Sequence, residues 1–540
     1  MKADQADQLF RQQEWARAAA AYTELAEQNP YQGLYWFRKA ASLLSLGKYD
    51  EAIEAYKRCQ KTGYADRHVA RGFGWCYALK GNPEQAAYWF ERLVTLDPAW
   101  LDSLRGNPRL KKLLGEKFHA QVFGPELPAD ISRVEGWRAD LAFMTKTLFR
   151  SHYNIHVKTP AEVWSAKIKQ LHDAIPKLTD KEVALEFCKL AALAGDGHTT
   201  MWPQYNAKLG FHMLPALIYE FKDGFFIRAA DPAYASIVGA RVLKIGDKPI
   251  EQLFDTAEAF YGHENSLHHK WQAPSVLGTV EILKMLGAAD TDDKATLQIE
   301  RDGQKQSVTL TALKWDAKLH GDKDDAPTWA QMNAGAKNPL PLWLQRSDDA
   351  YWFGYLKDER LVYFHYNNIF NKQGEPFTAF VEKLFAFIEA NPVEALVIDL
   401  RRNYGGSSDL YPPLIHQLIQ HPKINQRGKL FTLIGRSTYS AAMNLATDLE
   451  FWTNTLFVGE PTGASPNFIG ENKLFTLPYS KLRVSVSDRY HQHGASNSTD
   501  KRLWIAPNIP AELTSADYRN NIDPGLAAIL HYLKERQTAR

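Results

Sequence analysis

A serine becomes a nucleophile when a neighbouring base takes its proton and nearby donors stabilise the oxyanion its attack creates. Two short loops in this chain hold residues suited to that chemistry. In STYSAA, Ser440 stands between the apolar run KLFTLIG and a helical stretch that begins at Ala441. A helix N-terminus carries the positive end of the macrodipole, which favours an alkoxide and a developing oxyanion. The small Ala441 and Ala442 leave one side of the serine open. In DLRRNYGG, the run ALVIDL ends in a polar turn closed by Gly405 and Gly406. Two glycines in succession let backbone N–H groups approach a substrate with no side chain in the way. Neither loop is specific alone, because a serine before a helix is more often only its cap.

The base must come from elsewhere in the chain. His198 lies in AGDGHTT, on a turn where glycines on either side of Asp196 break a helix. A lone histidine in such a place is usually structural. His263, Glu264, His268 and His269 in HENSLHHK resemble a ligand set, but His263 and His268 are five apart rather than four. No helical pattern is evident there, so no metal centre is expected.

These groups need elements to hold them. From residue 336 onward, strand-like and helical stretches alternate. RLVYFHYNNI, ALVIDL, KLFTLIG and TLFVGEPTG read as strands, and the segments 376–390, 410–420 and that following Ser440 read as helices. Continuous apolar runs of this kind suit strands buried on both faces of an α/β layer fold. Residues 132–200 show helical periodicity, with a third helix over 180–194 capped by Thr179 and with Glu182 in its first turn. Residues 209–312 read as short strands with one helix over 250–260 and a hairpin at Asp302-Gly303, a small PDZ-like barrel able to accept an extended peptide.

The first hundred residues repeat. Gly47 and Gly81 are 34 apart; Ala18, Ala52 and Ala86, and Tyr22, Tyr56 and Phe90, share that spacing. The period and pattern resemble the tetratricopeptide repeat, an array of helix pairs in which small residues mark close approaches and glycines the turns. Such an array presents a concave surface to a polypeptide or partner.

Composition narrows the class further. The chain has 540 residues, 45% hydrophobic and 23% charged, with a formal net charge of +2. That balance offers no footprint for nucleic acid or an anionic membrane. The cysteines, Cys59, Cys76 and Cys188, form no CxxC pair, so neither a disulfide framework nor a cysteine zinc site is expected. MKADQADQLFRQQEW has no apolar core of a secretory leader, and no run is long enough for a membrane span, so the cytoplasm is the expected compartment.

In order, GDGHT, DLRRNYGG, GRSTYSAA and VGEPTG resemble the C-terminal processing (tail-specific) and tricorn-core serine peptidases, over about residues 132–530. The resemblance implies a multidomain α and α/β architecture. It comprises a repeat array with capping helix (1–118), a linker (119–131), a helical domain carrying GDGHT (132–205), a PDZ-like β domain (206–335) and a ClpP/crotonase-like α/β core (336–540). It implies peptide-bond hydrolysis without a cofactor, with Ser440 as nucleophile. The oxyanion donors are the backbone N–H groups of Ala441 and of either Gly405 or Gly406. Tail-specific relatives use a lysine about 25 residues after the serine; here that position is Ser465, and Lys473 lies eight further on, so the serine–lysine dyad is absent. The tricorn-like branch implies His198 as base, with Asp500 as the carboxylate that orients it and Glu471 as the alternative. Glu460 reads as a strand-end structural group, and His491 and His493 as exposed. The expected partners are a polypeptide substrate and a protein on the repeats; a homo-oligomer is compatible with both. The alternative readings are a degenerate core that binds through its repeats, and an esterase or amidase with the same oxyanion chemistry.

Overall fold

The computed structural model describes residues 2–124, 126–319, 326, 328–493 and 497–538. The chain divides into two compact units. The first runs to Ile155 and adds Glu471–Asp488; the second takes His156–Gly470 and the chain from Arg489 onward.

In the first unit, helices Trp15–Gln28, Gly33–Ser45, Tyr49–Lys61, Asp66–Leu79 and Pro83–Leu96 follow the 34-residue period. Ala18, Ala52 and Ala86 are each fully buried, as are Tyr22, Tyr56 and Phe90. Gly47 and Gly81 both take φ +75°, the left-handed conformation that ends a helix cheaply only at glycine. Large and small residues interlock across neighbouring helices. A Cβ at Gly72 would fall inside the Tyr56 ring, and one at Gly74 would meet Phe90 Cε1 at 2.8 Å. Gly72→Ala is therefore expected to destabilise this unit by about 1–3 kcal/mol, the usual cost of overpacking. Urea unfolding followed by far-UV circular dichroism checks it, and an unchanged curve would contradict this packing.

The helix Pro108–Phe123 continues into the stretch read as a linker, of which Pro125 lies outside the described residues. The helical segment 132–205 is divided between the units. Its helix Arg133–Ser151 stays with the repeats, where buried Asp140 accepts the N–H groups of Tyr479 (2.7 Å) and Ser480 (2.8 Å). These residues form the turn of a hairpin between strands Lys473–Thr476 and Arg483–Val486.

The second unit opens with helices Ala161–Ala174 and Asp180–Ala192. The latter starts at the expected Thr179 cap, which forms a capping box with Glu182 Oε2 accepting the Thr179 N–H at 2.7 Å. An antiparallel sheet follows, built on Ala216–Phe221, Gly224–Ala230, Arg241–Ile245, Lys294–Arg301 and Gln304–Thr311. Its last two strands turn at Asp302 (φ +51°) and Gly303 (φ +76°), the hairpin predicted there. Residues 320–325 and 327 of this segment lie outside the described residues.

The C-terminal sheet runs Tyr351–Leu356, Leu361–Tyr366, Ala395–Asp399, Leu430–Ile434, Leu456–Gly459 and Ile509–Pro510 in spatial order. The first pair is antiparallel and the rest are parallel. Helices Phe377–Ala390, Pro412–Gln420 and Ala441–Trp452 make the crossovers between the parallel strands. Ala395–Asp399 and Leu430–Ile434 are buried at every residue, which is why their sequences are apolar without alternation. The loops after the carboxyl ends of these two strands carry Gly405, Gly406 and Ser440.

Candidate active site

Ser440 follows the strand Leu430–Ile434 through a tightly bonded turn. Thr438 donates its hydroxyl to the Leu400 carbonyl (2.9 Å) and accepts the Gly435 N–H (3.0 Å), and Tyr439 N–H donates to the Asn403 carbonyl (3.2 Å). Ser440 itself takes φ +54° and ψ −125° at the N-cap of Ala441–Trp452. A non-glycine residue held at positive φ costs on the order of 1–3 kcal/mol and persists where its neighbours over-determine it. The same strand–turn–helix device presents nucleophilic serines in α/β hydrolases. The helix-cap alternative fails, because the Ser440 side chain makes no cap hydrogen bond. Its Oγ instead lies 3.0 Å from His198 Nε2, a residue 242 positions away in the chain.

His198 is 3% exposed. The Asp196 carboxylate forms its turn by accepting the N–H groups of His198 (3.0 Å) and Thr199 (2.8 Å). The imidazole stacks with the rings of Tyr439 (4.7 Å between centroids, 19° between planes) and Phe468 (5.7 Å, 11°). Its Nδ1 lies 2.7 Å from Tyr439 Oη. The same phenol donates to Glu264 Oε1 at 3.2 Å, and that oxygen also accepts the Gly197 N–H at 3.1 Å. Glu264 Oε2 lies 2.8 Å from His268 Nδ1. A Cβ at Gly197 would overlap both His268 and Tyr439, so glycine is required for this close approach. Burial by itself raises the Glu264 carboxyl, but the His268 hydrogen bond and the charges of His268 and His198 outweigh it and hold it well below the usual carboxylate range. Burial, reinforced by the negative charges of Glu264 and Asp196, pushes the Tyr439 phenol well above its ordinary value.

Gly405 takes φ +104°, and a Cβ there would sit 2.7 Å from Ser440 Cβ and 2.8 Å from Ala441 N. Only glycine fits between the two loops at this point. Its N–H donates to Asn403 Oδ1 at 2.9 Å. Among the described residues, the N–H groups of Gly406 and Ala441 have no hydrogen-bond partner. Trp271 and Tyr404, stacked at 5.0 Å and 6°, line a cleft next to this turn together with Lys270, Arg402, Ser437 and Glu460.

Several sequence-predicted groups take other partners. Asp500 does not bond His198. Arg502 grips it through Nε (3.1 Å) and Nη2 (2.8 Å) and also binds Glu450 (2.7 Å), so the acidic position two residues before an arginine is a surface ion-pair network. The Arg502 hydrogen bond holds the Asp500 carboxyl below its usual range. Glu471 belongs to the first unit. Glu460 pairs bidentately with Arg436 (2.9 and 2.8 Å) at the end of its strand. His491 is half-buried and stacks on Phe468 (4.8 Å), and His493 faces Asp448 at 3.5 Å. The HENSLHHK segment starts a helix, Ser266–Leu277, capped by the Asn265 side chain on Leu267 and His268 N–H. Its polar groups take internal partners: His268 meets Glu264, and His269 Nδ1 meets Tyr261 Oη at 2.6 Å. Glu264 and Tyr439 are the site residues that sequence reasoning left out. The signals were the i,i+4 spacing of Glu264 and His268, and Tyr439 preceding the nucleophile.

Residues 3–65 and 42–99 match the tetratricopeptide repeat family, so the N-terminal region carries such repeats. Among solved structures, the chain is similar to CPAF complexed with lactacystin, at 14% identity over 75% of this chain and 98% of that one, with a TM-score of 0.52. It is similar to mature CPAF at 15% identity over 75% and 96%, with a TM-score of 0.50. The photosystem II D1 C-terminal processing protease aligns at 14% identity over 73% and 96%, with a TM-score of 0.35. The CPAF likeness is one of fold. A search of curated protein sequences returned no match.

Proposed function

We propose that this chain is a serine peptidase that cleaves polypeptides through an acyl-enzyme on Ser440. The observation that carries the reading is the 3.0 Å approach of His198 Nε2 to Ser440 Oγ, at a serine held at positive φ at the start of a helix. Ser440 Oγ attacks the scissile carbonyl carbon while its proton passes to His198 Nε2. The carbonyl oxygen becomes an oxyanion held by the N–H groups of Gly406 and Ala441, with Gly405 keeping the two loops in contact. The intermediate collapses, the C–N bond breaks, and His198 returns the proton to the departing amine. Water then attacks the acyl carbon with His198 as base, the ester bond to Ser440 Oγ breaks, and His198 returns the proton to Oγ.

In this reading the C-terminal domain is the ClpP/crotonase-like core, and the antiparallel sheet of the second unit is the PDZ-like module that presents an extended chain. The repeats hold the substrate or a partner protein. Nothing in the site favours a degenerate core, since nucleophile, base and donors stand together. The test is incubation of the full chain with an unfolded polypeptide, peptide p-nitroanilides and p-nitrophenyl esters. Peptide-bond cleavage is the expected outcome; ester hydrolysis alone would make the chain an esterase, and no hydrolysis with retained partner binding would favour the scaffold reading.

A further inference from the structure

We propose that Glu264 is the carboxylate of this site and that it acts on His198 through the phenol of Tyr439, a positioning residue placed between them. The inference rests on the Ser440–His198 reading and deepens it.

The hydrogen-bond directions leave little freedom. For His198 Nε2 to accept the Ser440 proton, Nδ1 must carry the ring hydrogen. The acceptor in reach of Nδ1 is Tyr439 Oη at 2.7 Å, whereas Glu264 Oε1 is at 3.8 Å, beyond hydrogen-bond range. A phenol accepts at its oxygen and has one proton to give. With Nδ1–H donating to it, Tyr439 turns that proton on Glu264 Oε1 at 3.2 Å. The chain therefore runs Ser440, His198, Tyr439, Glu264 with each member donating to the next. Glu264 is built to receive it: Oε1 also accepts the Gly197 N–H, and Oε2 accepts from His268.

Burial gives the arrangement its weight. The Glu264 side chain is 6% exposed and His198 3%. An imidazolium formed there is costly without a counter-charge, and Glu264 is the carboxylate facing it. Tyr439 remains a phenol and Glu264 a carboxylate throughout, so no proton leaves either. The proton travels only from Ser440 to His198 Nε2 and on to the leaving amine. One turn sets both ends of the device, because Tyr439 and Ser440 are adjacent and share the bonds that tie that turn to Asn403 and Leu400.

Three variants of the full chain test this. Tyr439→Phe keeps the ring and its stacking but breaks the chain, and is expected to lower kcat by about 10- to 100-fold with KM within about twofold. Glu264→Gln is expected to lower kcat by a similar factor of about 10- to 100-fold. The double variant is expected to be no slower than Glu264→Gln, because members of one relay do not add. A Tyr439→Phe enzyme with full kcat, or losses that multiply in the double variant, would overturn the relay. Tyr439→Phe decides alone should Glu264→Gln not fold. Ser440→Ala, run alongside, separates the two claims: activity surviving in it removes the underlying reading, whereas activity lost in it but kept in Tyr439→Phe removes the relay only.

Discussion

Ser440→Ala is expected to lower kcat/KM for peptide hydrolysis by about 10^4- to 10^6-fold, and His198→Ala to lower it comparably, with the double variant no worse than either. The non-additivity follows from the geometry. Oγ and Nε2 are 3.0 Å apart and neither has another role in the step, so losing one idles the other. Steady-state kinetics on the three variants, each checked by circular dichroism, reads this directly. Residual activity reflects substrate binding and the two N–H donors. Losses of a few fold in either single variant would remove that residue from the chemistry.

Gly405→Ala is expected to lower kcat by at least about 10^2- to 10^3-fold, the cost of disabling an oxyanion donor pair. The methyl would stand 2.7 Å from Ser440 Cβ and 2.8 Å from Ala441 N, distances at which one of the two loops must move. The backbone also sits at φ +104°, where L side chains are strained. The movement separates the Gly406 and Ala441 N–H groups from the carbon that Ser440 attacks. Because the oxyanion exists only in the transition state, the loss falls on kcat more than on KM. Kinetics of the purified variant checks the split; full activity would mean that the two loops do not form a joint oxyanion site.

The repeats were legible because a 34-residue period samples the same contact in each unit, and Ala52 and Tyr56 are buried for the reason their spacing implies. The strands of the C-terminal sheet are legible because burial on both faces makes them largely apolar, with Asp399 and Thr432 the polar exceptions in the two central ones. Ser440 and the two glycines stand where a strand meets a turn, a local event that sequence displays. His198 is reachable only through family resemblance, since it lies 242 positions from Ser440 in the chain. The choice between Gly405 and Gly406 turned on Asn403, whose amide oxygen bonds the N–H two residues on, a habit of asparagine that the motif NYGG already contains. Glu264 was missed because the helix that follows it carries Pro274 and mixes His, Lys and Trp without an apolar stripe. Asp500 follows only from the resemblance, and the arginine two residues on engages it instead.

The central claim is that Ser440 is a nucleophile activated by His198. Labelling of the full chain with an aryl phosphonate, followed by intact mass and peptide mapping, tests it in one measurement. The account predicts one adduct per chain, on Ser440, absent from Ser440→Ala and slowed by orders of magnitude in His198→Ala. An adduct on another residue, or unlabelled protein that still cleaves peptides, would contradict it.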